Sequence, residues 1–201
     1  LLREAARAAA LHGMNPAAIS FSTHPSALLA PHASGLLTTP EERARLMREC
    51  YGIPELLMLP FDEALMHESW EHFLEHRLIG TLGARYVVCG ENFRFGYRGE
   101  GTAELLQARC RTLGIGCSVI PQVRLDGVPV SSTLIRALLQ RGATQSACAL
   151  LGHPYSLTGT VVHGRGLGHT LGFPTANLDF PEELLPPAFG VYACRAHVGE
   201  S

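Results

Sequence analysis

The chain has 201 residues, enough for one large domain or two small ones with a substantial buried core. Hydrophobic residues make up 46% and charged residues 17%, which excludes a disordered chain. The formal net charge of −2 gives no general pull toward nucleic acid or an anionic membrane, so any phosphate ligand must be held by local groups. No apolar run approaches the ~20 residues of a membrane helix. The six cysteines (Cys50, Cys89, Cys110, Cys117, Cys148 and Cys194) include no Cys-x-x-Cys pair. Scattered in this way they read as reduced, mostly buried thiols of a cytoplasmic protein rather than a disulfide framework.

Leu1 to Leu11 is an Ala- and Arg-rich amphipathic helix. Transit peptides share that composition, but Glu4 and the strand-like sequence that follows favour an ordinary domain helix. With no initiator Met, the chain reads as a fragment whose true start is missing. Ala17 to Ser22 is a short apolar run that suits a buried strand. Thr39-Pro40-Glu41 has the cap-then-proline signature of a helix start, predicting a helix from Pro40 to Cys50. Strands then follow at Leu56 to Leu59, Tyr86 to Cys89 and Cys117 to Val123, with helices at Ser69 to Ile79 and Thr102 to Leu113. This alternation predicts an α/β fold with a parallel sheet. Helices from Ser132 to about Gln140 and from about Thr144 to Leu151 would close the module. Past Gly152 helical periodicity stops. Tyr155 to His163 and Val191 to Val198 are β-rich, predicting a second, antiparallel β module with the boundary near His153-Pro154.

Four places carry residues suited to chemistry. The string Gly164-Arg165-Gly166-Leu167-Gly168-His169-Thr170-Leu171-Gly172-Phe173-Pro174-Thr175-Ala176-Asn177 combines close-approach glycines with a hydroxyl and an amide two residues apart. In an extended segment Thr175 and Asn177 face one side, and their neutral oxygens suit a hard cation such as Mg²⁺. A glycine-rich hairpin accounts for the glycines alone, whereas the whole string reads as a phosphate cradle. Ser131-Ser132-Thr133 precedes a helix with Ile135, Leu138 and Leu139 on its apolar side. A Ser or Thr there caps free N–H groups that also attract anions, and Arg136 lies one turn in. Either a plain cap with a solvated Arg or a phosphate site fits that spacing. Asn92 follows the strand Tyr86 to Cys89, where ligands of open α/β sheets bind. Phe93 or Phe95 could stack on a flat heterocycle there, or both could be core residues. His24-Pro25 holds the same position after the first strand. His72-Phe73-Leu74-Glu75-His76 formally matches a zinc-peptidase pattern. That pattern is rejected: Trp70, Phe73, Leu74 and Leu78 make the buried stripe of the helix, so His72 and His76 fall largely on a solvated, charged outer face beside Glu68 and Glu75, and no other motif supports peptidase chemistry.

The glycine-rich string resembles the riboflavin kinase signature of the bacterial bifunctional riboflavin kinase/FMN adenylyltransferases, the prokaryotic FAD synthetases. Val130-Ser131-Ser132-Thr133-Leu134-Ile135-Arg136 resembles the Ser-Ser-Thr-x-Ile-Arg motif of their adenylyltransferase half. Gly90-Glu91-Asn92-Phe93-Arg94-Phe95-Gly96 resembles their flavin-side loop, Leu150-Leu151-Gly152-His153-Pro154-Tyr155 the junction of the two modules, and Gly190-Val191-Tyr192-Ala193 a strand of the kinase barrel. The resemblance implies a Rossmann-like nucleotidyltransferase domain over residues 1–152, its first strand and motif missing. It further implies, over 153–201, the beginning of an antiparallel β-barrel kinase. ATP would be co-substrate, and riboflavin, FMN and FAD the substrates and products. Ser132, Thr133 and Arg136 would hold ATP phosphates for adenylyl transfer, and His24, Asn92 and Phe93 would line the same cleft. Gly164, Gly166 and Gly168 would close over the kinase ATP, with Thr175 and Asn177 on its Mg²⁺. The family's His-x-Gly-His would lie upstream of Leu1 and the kinase carboxylate beyond Ser201, so the 201-residue chain alone is expected to be inactive. Pro129 and Val130 stand where some members carry a basic residue. Partners would be small molecules only, with no nucleic acid or membrane, and the oligomeric state is not set by the sequence. The competing reading is a non-catalytic flavin- or nucleotide-binding protein that kept the fold.

Overall fold

A computed structural model describes residues 1–21, 35–165, 168 and 171–199. The chain divides into two compact units, Leu1–Pro129 and Val130–Ser201.

The first unit is α/β. Its helix α1, Leu2–His12, leads into strand β1, Ala17–Phe21. Helix α2, Pro40–Tyr51, starts where the sequence places it: the Thr39 hydroxyl accepts from the Glu42 N–H at 3.2 Å, and Pro40 needs no helical partner in the first turn. Strand β2, Glu55–Leu59, pairs in parallel with β1, from Ala17 opposite Glu55 to Phe21 opposite Leu59. Strands β3, Tyr86–Gly90, and β4, Gly116–Ile120, form a second parallel pair, crossed over by helix α3, Ala103–Thr112. Parallel strands need such a crossover, so the strand–helix alternation dictates the pairing. Phe21, Leu59, Val87 and Val119 from the two pairs pack against one core, centred on the fully buried Leu74, Leu106 and Cys110.

Two elements depart from the expected pattern. The helix predicted from Ser69 to Ile79 begins as an α-turn at Trp70–His72 and continues as a π-helix over Phe73–Thr81. The wider turn brings residues five apart into line, so Phe73 and Leu78 both reach the core beside Leu74. Trp70 is only half-buried and lies against that core. The strand predicted from Cys117 to Val123 stops at Ile120, because Pro121 has no N–H to continue the ladder.

The second unit opens with helix α4, Ser132–Gln140, and helix α5, Thr144–Leu151. Ile135, Leu139, Ala147 and Leu184 make its buried core. The segment after Leu184 closes on α4: the Ala188 N–H donates to the Leu139 carbonyl at 2.9 Å, and the Tyr192 hydroxyl donates to the Ala188 carbonyl at 2.6 Å. The antiparallel module is present as one pair, β5, Thr160–Val162, with β6, Asn177–Asp179. No closed barrel is found among the described residues. The strand predicted over Val191 to Val198 is absent: nothing described pairs with it, and Val191 and Val198 are fully exposed. A strand is stabilised by its neighbour, so β-propensity without a partner leaves the chain irregular.

Candidate functional site

Three groups of residues carry the candidate chemistry, one in the first unit and two in the second. In the first unit β3 and β4 end side by side, and the loop after β3 is closed by the Glu91 N–H on the Ile120 carbonyl (2.9 Å) and the Phe93 N–H on the Gly90 carbonyl (3.0 Å). The Glu91 carboxylate takes the Gln122 N–H at 3.0 Å. Asn92 is exposed at the tip of this turn. Phe93 and Phe95 stack with centroids 5.0 Å apart and planes 12° from parallel, but they differ in role. Phe95 is buried against Trp70 and Phe73, whereas Phe93 is 39% exposed, so the outer face of Phe93 is the one available to a flat ring. His24 lies outside the described residues. Arg43 was not singled out by the sequence. Its guanidinium donates to Ser20 Oγ at 2.5 Å and to Thr38 Oγ1 at 3.3 Å, tying α2 to the carboxyl end of β1. Nothing local marks it among the other arginines of that helix.

At the start of α4, Ser131 is extended and its hydroxyl accepts the Leu134 N–H at 3.2 Å. Ser132 and Thr133 are exposed on the first turn, where backbone N–H groups have no intrahelical acceptor. Because Ile135 and Leu139 are buried, Ser132 and Arg136, four residues apart, share a side next to that face. Arg136 is half-buried, and burial lowers its pKa. Tyr155 approaches it; burial pushes the Tyr155 hydroxyl up to about 12, opposed by the Arg136 charge. That hydroxyl donates to the Leu185 carbonyl at 2.5 Å. Tyr155 is a further member of this group that sequence reading placed only at the module junction.

The third group is the glycine-rich segment and β6. Asn177 pairs opposite Val162, so its strand position brings it to Gly164 just past β5. A Cβ added at Gly164 would overlap the Asn177 carboxamide nitrogen, and one added at Gly168 would lie 2.7 Å from Thr175 Oγ1. The hydroxyl and the carboxamide therefore each rest against a glycine α-carbon, in space that any side chain would fill. Thr175 and Asn177 are both exposed. Gly166 lies outside the described residues. Among the described residues there is no group of three or more His, Cys, Asp or Glu able to hold a metal ion, and no helix long and apolar enough to cross a membrane.

Residues 1–134 match the family model described as FAD synthetase. The chain belongs to the FAD synthetase family. Residues 151–201 match a second model, riboflavin kinase. Among curated relatives, the bifunctional riboflavin kinase/FMN adenylyltransferase of Bacillus subtilis is 32% identical over 92% of this chain and 58% of its own length. Its namesake in Escherichia coli K12 is 35% identical over 86% and 55%, and that of Listeria monocytogenes 31% identical over 98% and 63%. The chain thus spans a little over half the length of these relatives. A crystal structure described as a macrolide-efflux protein from Streptococcus pneumoniae superposes with a TM-score of 0.82 at 31% identity, covering 95% of this chain and 62% of that one.

Proposed function

We propose that the protein makes flavin cofactors in two steps, phosphorylating riboflavin to FMN and adenylylating FMN to FAD, with ATP as donor in both. The observation that carries this reading is the tandem order of the two family matches, FAD synthetase over 1–134 and riboflavin kinase over 151–201. We place the module boundary between residues 152 and 153, with a Rossmann-like nucleotidyltransferase domain before it and the β-barrel kinase beginning after it.

In the adenylyl transfer the FMN phosphate attacks the α-phosphorus of ATP and pyrophosphate leaves. The first-turn N–H groups of α4, the hydroxyls of Ser132 and Thr133 and the Arg136 guanidinium hold the ATP phosphates as charge moves onto the leaving group. Partial burial of Arg136 strengthens its pull on an anion, since less water screens it. In the first unit Asn92 hydrogen-bonds a flat heterocycle and Phe93 stacks on it, and His24 is carried over from the family motif as a further nucleotide-binding residue. In the kinase step the ribityl hydroxyl attacks the γ-phosphorus. The backbone at Gly164, Gly166 and Gly168 closes over the triphosphate, and Thr175 and Asn177 fix its orientation. These two neutral oxygen donors beside a cradle that a Cβ would fill fit Mg²⁺, which takes oxygen ligands and keeps waters and phosphates in the rest of its shell. When bound, the ion would neutralise phosphate charge. The partners are small molecules rather than nucleic acid or membrane, and the setting is the cytoplasm.

The test is to incubate the protein, expressed from its complete reading frame, with riboflavin and Mg-ATP and to separate the products by chromatography. FMN should appear first and FAD after it. Flavin or nucleotide binding without turnover would replace this reading with that of a non-catalytic binding protein.

A further inference from the structure

Arg43 is a half-buried cation that meets no carboxylate among the described residues. It stands in the first turn of α2, and burial lowers its pKa. Its guanidinium touches only neutral oxygens: Ser20 Oγ at 2.5 Å, Thr38 Oγ1 at 3.3 Å, and the Phe21 and Thr38 carbonyls at 3.4 Å each. All but the Ser20 contact are longer than the roughly 3.2 Å at which good N–H···O bonds end. The neighbouring acid, Glu42, turns to Arg45 instead, at 2.8 Å. Residues 22–34, which follow β1 in the chain, contain no Asp or Glu. By contrast Arg7, Arg45, Arg77 and Arg109 each meet a glutamate.

A cation drawn partly out of water costs free energy unless an anion meets it. A strut between α2 and β1 needs hydrogen bonds, not a charge. The place of this charge supplies the reason for it. Ser20 and Phe21 end β1 of the parallel pair, and ligands of open parallel sheets bind beyond the carboxyl ends of the strands. We propose that Arg43 binds a phosphate group of the nucleotide in adenylyl transfer, exchanging its long contacts at Thr38 for phosphate oxygens while Ser20 holds it at the end of β1. The planar guanidinium fork suits that oxyanion. The identity of the ligand rests on the flavin-synthesis reading above: the phosphate belongs either to ATP or to FMN, and both offer the same chemistry. Arg136 lies in the other unit, and its role is argued separately.

The experiment uses the complete protein as wild type, Arg43→Gln and Arg43→Lys. KM and kcat for ATP and for FMN are measured in FAD formation, with riboflavin phosphorylation and melting temperature on the same samples. Inorganic pyrophosphate and FMN are also titrated by calorimetry, which needs no turnover. Arg43→Gln should raise one of the two KM values roughly tenfold or more, the scale of a charge-assisted contact, and spare riboflavin phosphorylation. Arg43→Lys should recover part of the loss. A raised KM for ATP with weakened pyrophosphate binding assigns the contact to ATP. A raised KM for FMN with pyrophosphate binding intact assigns it to FMN. Wild-type KM values in folded Arg43→Gln, or a loss that follows the folded fraction and is not recovered by Arg43→Lys, would overturn the proposal. A wild-type protein that makes no FAD defeats the flavin-synthesis reading instead. Arg43 is then judged by the titrations alone, and equal affinities for pyrophosphate and for FMN in wild type and Arg43→Gln refute its phosphate role.

Discussion

Replacing Gly164 by Ala separates a phosphate cradle from an ordinary turn. The new Cβ would overlap the Asn177 carboxamide nitrogen and lie 2.8 Å from its Cγ and 3.1 Å from its Oδ1. All three atoms belong to one exposed, rotatable side chain, so the backbone can stay while Asn177 swings away. That costs on the order of 0.5–1.5 kcal/mol if the side chain is held off its rotamer, and less if it finds another. The effect on chemistry is larger, because a displacement of about 1 Å in a positioning group costs about 10²-fold in rate. Gly159→Ala is the contrast: its Cβ would overlap the Asp179 carbonyl oxygen and lie 2.9 Å from that carbonyl's carbon, in the strand paired with Thr160. Backbone cannot swing aside, so that variant should lose roughly 1–3 kcal/mol of stability. FMN formation and melting temperature are measured on the same samples. Gly164→Ala should lose about a hundredfold in riboflavin phosphorylation with a small fall in melting temperature and unchanged FMN adenylylation. In Gly159→Ala residual activity should follow the folded fraction. A normal kinase rate in folded Gly164→Ala would refute the role given to Asn177.

Leu106→Ala removes a fully buried side chain from the first unit's core and should destabilise that unit by about 2–5 kcal/mol, read by denaturant titration. Tyr155 is held protonated in the folded state, from 10.0 up to about 12, while the unfolded chain releases its proton at the lower value. Stability is therefore intact below pH 10 and declines between pH 10 and about 12. Tyr155→Phe should flatten that alkaline decline relative to wild type, and parallel curves would contradict the assignment. Thr175→Ala should impair riboflavin phosphorylation while leaving adenylylation of supplied FMN intact, again with melting temperature as the control for folding.

Features set by local chemistry were legible in the sequence. Thr39 and Ser131 each cap a helix within three residues of themselves, and both helices start where the sequence puts them. The apolar runs at Ala17 and Tyr86 become parallel strands because each is followed by a helix long enough to cross over. What depended on distant partners was not legible. Phe93 and Phe95 look alike in sequence, and only Trp70 and Phe73, more than twenty residues earlier, decide that Phe95 is core. Glu68 reads as a surface charge until Arg77 and His72 are seen to bond both of its carboxylate oxygens in a buried position. Val191 to Val198 has strand composition, but the ladder that would hold it is not among the described residues. The approach of Gly164 to Asn177 and of Gly168 to Thr175 depends on the β5–β6 register, which the spacing of the motif suggests but does not set.

The central claim is that one chain holds two separate phosphate-handling sites, and the most direct measurement is a crossed assay of two variants of the complete protein. Arg136→Ala should lose roughly tenfold or more in FAD formation from FMN, as expected for a charge-assisted contact worth about 1.5–3 kcal/mol, and keep its rate of riboflavin phosphorylation. Asn177→Ala should do the reverse. Equal loss of both reactions in either folded variant, or no FMN and no FAD from the wild-type protein, would contradict the account.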